Sequence, residues 1–308
     1  MTESGEVIPN MVVCYETWGQ PTAFGNNAVL LCHGSGGDRL RMGAYLGPGK
    51  PFDTNRFWVI AVDAIGSGGS SKPSTSGLGS RFPRVTIRDM VRAQCLLLTH
   101  GLGLNGLACV AGPSMGGYQA IEWAATYPAF VRRAVSIIGS ALRSQQQAAI
   151  SAAIEAAIAA DPRWNGGDYT ELPVDGLRAA GVAWFPWIYG EEWYLQYDAT
   201  TLEQALESSR QRATYGDPWD MLCQEYACTA HDVGDHADGN LQAALARAHM
   251  PVLVMPCATD LLVPPRHSRL MADLLPRGTY VEIPSYAGHG VMSREIEFIS
   301  YHLWEFLA

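Results

Sequence analysis

Short apolar runs alternate with helical stretches along most of this chain. Residues 27–32 (NAVLLC), 57–62 (FWVIAV), 107–111 (LACVA), 134–138 (AVSII), 251–257 (PVLVMPC) and 279–283 (TYVEI) each read as a strand. Unbroken apolar runs of this length fit strands buried on both faces. Thr86-x-x-Asp89 has the form of a capping box. The helix it opens carries Ile87, Met90, Val91, Cys95 and Leu98 near helical spacing and stops around Gly101 and Gly103. A second helical pattern runs to Tyr127, where Pro128 stops it, and a last one spans about residues 293–306. The alternation predicts an α/β fold, a mostly parallel sheet flanked by helices.

Residues 139 to about 245 break this rhythm. Ile150, Ile154 and Ile158 recur every four residues, and an aromatic-rich stretch follows with Trp164, Trp184, Phe185, Trp187, Tyr189, Trp193, Tyr194 and Trp219. No strand pattern is visible in it. The division expected is a first core part over 1–139, an inserted helical lid over 140–245, and a second core part over 246–308. Most of these aromatics pack the lid onto the core. Trp184, Trp187 and Tyr189 are the candidates to line a pocket beneath it.

Composition narrows the class. The 308 residues are 48% hydrophobic and carry a net charge of −9. That supports a sizeable core and argues against a nucleic-acid partner or an anionic membrane surface. No secretory leader pattern is visible in residues 1–13, and no run reaches the length of a membrane span. The seven cysteines include no C-x-x-C pair. A cytoplasmic setting is the expectation.

The chemistry centres on residues 107–128. The apolar run leads into Gly112-Pro113-Ser114-Met115-Gly116 and then a helix. Strand, sharp turn with serine at its apex, then helix is the context of a nucleophile elbow, and small residues two before and two after the serine make room for it. A serine nucleophile needs a base, and the base needs an orienting carboxylate. Asp260 follows the strand candidate at 251–257, and His289 follows the one at 279–283. The chain order Ser114, Asp260, His289 is that of α/β-hydrolases. The oxyanion donors expected are the N–H groups of Met115 and of Ser35 in His33-Gly34-Ser35-Gly36-Gly37. His33 is read as shaping that turn. His231 and His236, in HDVGDHAD, lack metal-ligand spacing and read as solvated loop or lid contacts. Asp63 precedes Gly66-Ser67-Gly68-Gly69, but no G-x-G-x-x-G follows the first strand, so a dinucleotide site is not expected.

Taken together, FPRVTIRDMVRAQCLLL (82–98), PSMGGYQAIEWAATYP (113–128), DPRWNGGDY (161–169), AHDVGD (230–235) and the Asp260 and His289 loops resemble the homoserine O-acetyltransferase branch of the α/β-hydrolase superfamily. The resemblance covers most of the chain beyond about residue 25. It implies an α/β-hydrolase core with a helical lid, a Ser114–His289–Asp260 triad, an acyl-enzyme and no metal. Two departures fall at the acceptor site. Gly290 follows the histidine where the family has an aspartate for the substrate amine. Phe185-Pro186-Trp187-Ile188-Tyr189 has no arginine where the family holds the substrate carboxylate. The first expectation is therefore a carboxylic ester hydrolase acting on a small apolar or aromatic ester. The alternative is an O-acyltransferase moving acetyl from acetyl-coenzyme A, a co-substrate in that case only, to homoserine or another alcohol. No resident cofactor is expected in either. The resemblance and the apolar lid are compatible with a homodimer. A non-catalytic binding module would have been expected to lose a triad member, and none is lost.

Overall fold

The computed structural model describes residues 1–196 and 198–308. In chain order the core begins with β1 (Tyr15–Trp18), β2 (Ala28–Cys32), β3 (Trp58–Val62), α1 (Ile87–Leu96), β4 (Cys109–Pro113), α2 (Met115–Thr126) and β5 (Ala134–Ile137). Six helices follow: α3 (Gln145–Ala159), α4 (Val174–Ile188), α5 (Glu191–Tyr194), α6 (Ala199–Ala213), α7 (Pro218–Thr229) and α8 (Leu241–Leu245). The core resumes with β6 (Val252–Met255), α9 (Pro265–Leu274), β7 (Gly278–Tyr280) and α10 (Ile296–Leu307).

The seven strands form one sheet in the order β1-β3-β2-β4-β5-β6-β7. Among the described residues only the β1–β3 pairing is antiparallel. Alternate residues of the central strands feed two apolar layers. Leu30, Ile60, Val62 and Val110 pack with α1, α2, α8 and α9, including Ile121, Trp123 and Met271. Val29, Leu31, Ala61, Ala111 and Ile137 pack with Ile299, Leu303 and Leu307 of α10. A third layer joins Met115 and Tyr118 of α2 to Ile150, Ile154 and Ile158 of α3, Leu177 of α4 and Leu222 of α7. That layer seats the helices between β5 and β6 over the carboxyl edge of the sheet. No helix among the described residues is long and apolar enough to cross a membrane.

The expected strands form where the apolar runs lie, with shifted ends. β4 runs on to Pro113, and Leu107 makes only an isolated bridge to Val131. β7 is shorter than expected: it ends at Tyr280, and Ile283 pairs alone with Cys257. The last helix starts at Ile296, after a 3-10 turn over Gly288–Ser293. Thr86 and Asp89 close the capping box as expected. The apolar pattern predicts no counterpart of β1, whose YETW alternates half-buried and exposed positions at the sheet edge.

Candidate active site

Ser114 sits between β4 and α2 at φ 54°, ψ −121°, a conformation that costs a non-glycine residue on the order of 1–3 kcal/mol. Its N–H is tied to the Ile137 carbonyl at 2.9 Å. The flanking glycines are sterically required. A methyl group on Gly112 would lie 2.5 Å from the Cys32 carbonyl oxygen, and one on Gly116 would meet the same oxygen.

The three residues separated by 175 positions meet here. Ser114 Oγ lies 2.8 Å from His289 Nε2, and His289 Nδ1 lies 2.7 Å from Asp260 Oδ2. The other oxygen, Oδ1, accepts the N–H groups of Leu262 and Val263, each at 2.9 Å. Asp260 is 2% exposed, so its charge acts on the imidazole with little screening. This arrangement places the proton on Nδ1 and leaves Nε2 to accept from Ser114.

Two peptide N–H groups belong to residues that adjoin the nucleophile or the glycine packed against it. Met115 is the first residue of α2, whose N–H has no acceptor one turn back. Gly34 lies against Ser114, with its Cβ position 3.3 Å from that of the serine. The next N–H, that of Ser35, donates to no described residue. The loop holding it is braced from below and above. His33 Nε2 accepts the Ala64 N–H at 3.0 Å, which puts its proton on Nδ1, 2.7 Å from the Gly34 carbonyl. Burial pushes the His33 pKa down and keeps this neutral form. Asp63, fully buried, accepts the Arg39 N–H, the Arg39 guanidinium and the Gly69 N–H, so both its oxygens serve the loops. From α7, Gln224 Oε1 accepts the Gly36 N–H at 3.0 Å, while its Nε2 donates to the Gly66 carbonyl at 3.0 Å.

Of the three pocket candidates, Tyr189 comes nearest the catalytic loop. A Cβ on Gly290 would lie 3.2 Å from its Cε1. Its ring stacks on Trp193 at 4.1 Å and meets Phe185 edge-on. Trp184 and Trp187, on the same last turns of α4, are half-buried against the layer that contains Met115, Leu262 and Val263. In the same layer, Trp164 stacks on Tyr169 at 5.6 Å and meets Trp219 at a tilt at 4.9 Å.

His231 and His236 depart from expectation. His231 is buried and stacks on Tyr118 at 4.8 Å, and His236 Nε2 lies 2.5 Å from Glu122 Oε1. Both turn inward because α2 offers them a ring and a carboxylate, while Asp232 caps the turn between them. No group of three or more metal-ligating side chains occurs among the described residues. Gln224 and its neighbour Glu225, also buried, belong to the surroundings of the site, and no motif in the sequence marks them. Adjacent polar residues in a helix carry no local sign that they face inward.

Residues 27–293 match the family model for the alpha/beta hydrolase fold. The homoserine O-acetyltransferase of Thermobifida fusca is 34% identical, over 99% of this chain and 90% of that one. The chain belongs to the α/β-hydrolase fold family. Within it, the chain lies in the homoserine O-acetyltransferase-like branch. The serine O-succinyltransferase of Litchfieldella anticariensis is 32% identical, over all of this chain and 95% of its own length. The acetyl esterase MekB superposes with a TM-score of 0.95 at 28% identity, over 99% of this chain and 93% of that one. This α/β-hydrolase is therefore an enzyme whose relatives divide between acyl transfer and ester cleavage. The names among the sequence relatives put transfer ahead of the hydrolysis that was expected first.

Proposed function

We propose that this enzyme is an O-acyltransferase that carries a small acyl group on Ser114 and delivers it to an alcohol. The observation that carries the reading is the assembled Ser114–His289–Asp260 geometry in a chain alike, along 99% of its length, to a homoserine O-acetyltransferase. His289 Nε2 takes the proton of Ser114 Oγ as the oxygen attacks the thioester carbonyl of an acyl-coenzyme A. The Ser35 and Met115 N–H groups hold the oxyanion, and deleting one such donor typically costs about 10²–10³ in rate. Collapse expels the thiolate, which takes the proton from the imidazolium, and leaves acyl-Ser114. An alcohol then gives its proton to His289, attacks the acyl carbon and departs as the ester, and Ser114 is reprotonated. Asp260 stabilises the imidazolium in both halves. Trp184, Trp187 and Tyr189 supply the apolar wall, and the reading asks for no resident cofactor.

A second reading, hydrolysis of a small carboxylic ester, is favoured by one specific observation. The residue after His289 is Gly290, with the Tyr189 ring packed against it, so the carboxylate that the branch places there is missing. The two readings share the acyl-enzyme and differ in what resolves it. The test loads the enzyme with acetyl-coenzyme A, with and without L-homoserine or simple alcohols, and quantifies acetate against O-acetyl product by mass spectrometry. An O-acetyl product that disappears in Ser114→Ala supports transfer. Acetate alone, with every alcohol, replaces transfer by hydrolysis.

A further inference from the structure

Glu225 is a carboxylate at 3% exposure that the chemistry above does not use. Its neighbours fix its place. Gln224, the residue before it, holds Gly36 of the oxyanion loop. One turn on, Cys228 shares an apolar layer with Tyr118, itself one turn beyond Ser114 in α2. From the opposite side Ser151 of α3 donates to Glu225 Oε2 at 2.8 Å. Glu225 thus lies between the oxyanion loop and the start of α2; burial raises its pKa, and the Ser151 hydrogen bond and the charge of His289 oppose that rise. The Tyr118 hydroxyl of α2, which donates to Gln147 at 2.8 Å, and the Cys228 thiol of α7 lie close enough to feel its charge.

Its second oxygen, Oε1, accepts no hydrogen bond from any described residue. The sole described side-chain polar atom both sealed from solvent and unpartnered is Ser136 Oγ, so Oε1 opens onto space rather than into packed protein. No described lysine or arginine pairs with Glu225; Arg84 lies over the Tyr226 ring, and Arg178 is taken by Glu207. A buried carboxylate with one hydroxyl donor and no counter-charge is costly, unless a ligand supplies the charge. The aromatic residues at the end of α4 suit the same kind of ligand, since ring faces attract cations.

We propose that Glu225 binds a positively charged ammonium group on the alcohol part of the substrate, the acceptor in transfer and the leaving alcohol in hydrolysis. This rests on the acyl-enzyme reading above. It names the substrate as an amino alcohol or its ester rather than a neutral alcohol, with the aspartate lost after His289 replaced by a carboxylate from α7.

The test compares two isosteric esters at pH 7, 2-(dimethylamino)ethyl acetate and 3-methylbutyl acetate, with spontaneous hydrolysis subtracted. A charge-assisted hydrogen bond predicts kcat/KM at least about tenfold higher for the cationic ester. Glu225→Gln brings the two within about twofold, and Glu225→Asp restores part of the preference. Equal rates, a neutral preference, or an undiminished preference in Glu225→Gln overturns the proposal. Cleavage that persists in Ser114→Ala overturns the acyl-enzyme reading instead. Should Glu225→Gln fail to fold, the wild-type enzyme decides by calorimetry: 2-(dimethylamino)ethanol binds at least about tenfold more tightly than 3-methylbutan-1-ol, or the proposal is wrong.

Discussion

Glu122 and Glu225 are both glutamates taken out of water, one in the helix behind the nucleophile and one in the helix above it. Their surroundings are opposite. Burial pushes Glu122 up, but the His236 hydrogen bond and the positive charges beside it more than offset this, and its pKa falls to about 2. Arg88 Nε at 3.0 Å, the Thr126 hydroxyl at 2.8 Å and His236 at 2.5 Å all meet its Oε1. Among the described residues Glu225 has Ser151 alone, and burial pushes it up to about 7. A fold that needs a buried charge for its own architecture surrounds it with donors and cations. A buried carboxylate left so poorly compensated, and coupled to the catalytic histidine, suits a charge that arrives with a ligand.

The difference has consequences that can be measured. Glu122→Ala takes the shared buried carboxylate from Arg88 and His236, leaving them Glu3 and Thr126, and should cost about 3 kcal/mol at pH 7 in urea unfolding. Because the folded-state pKa lies below the unfolded one, that contribution is present above about pH 4.5 and fades as the pH falls toward 2. Glu225→Gln should act the other way. With its pKa raised in the folded state, the ionised carboxylate destabilises the protein progressively from about pH 4.5 to 7. The variant should therefore be more stable than wild type at pH 8, by on the order of 2 kcal/mol, and indistinguishable from it at pH 4. A loss of stability at pH 8 would show that Glu225 is structural like Glu122 and break the comparison. Gln224→Ala, which frees Gly36, should lower kcat about tenfold in steady-state assays and leave KM within about twofold, since a loosened oxyanion loop is felt mainly in the transition state. Smallest is Ser136→Ala. It removes an orphan hydroxyl wedged against Gly117 and Gly139, and thermal melting should show it neutral or stabilising by about 1 kcal/mol.

The elbow and triad were legible because local rules constrain them. Glycines two either side of Ser114 have a steric cause, Asp260 follows a strand whose apolar run stands out, and His289 completes the order beyond the short strand β7. β2, β3 and β5 were legible because both their faces are buried. β1 was not, since an edge strand with one face toward solvent needs only alternate apolar positions and has just four residues. His231 and His236 misled because a run rich in Asp and His looks solvated until the partners on α2 are known. Gln224 and Glu225 lay beyond any local pattern. Their partners are 188 and 74 positions away, and only the tertiary fold turns them toward the serine.

The bridge that Gln224 makes between Gly36 and Gly66 also bears on modularity. An insert of helices on a sheet invites exchange between relatives as a way to move specificity. Here one helix of that insert is a strut for the catalytic floor, so a graft that replaced α7 wholesale would carry away part of the machinery it was meant to redirect. Chimeras of this scaffold should keep the strut and vary the ends of α4. Specificity and catalysis divide in this enzyme between neighbouring side chains of a single helical turn, not between two exchangeable parts.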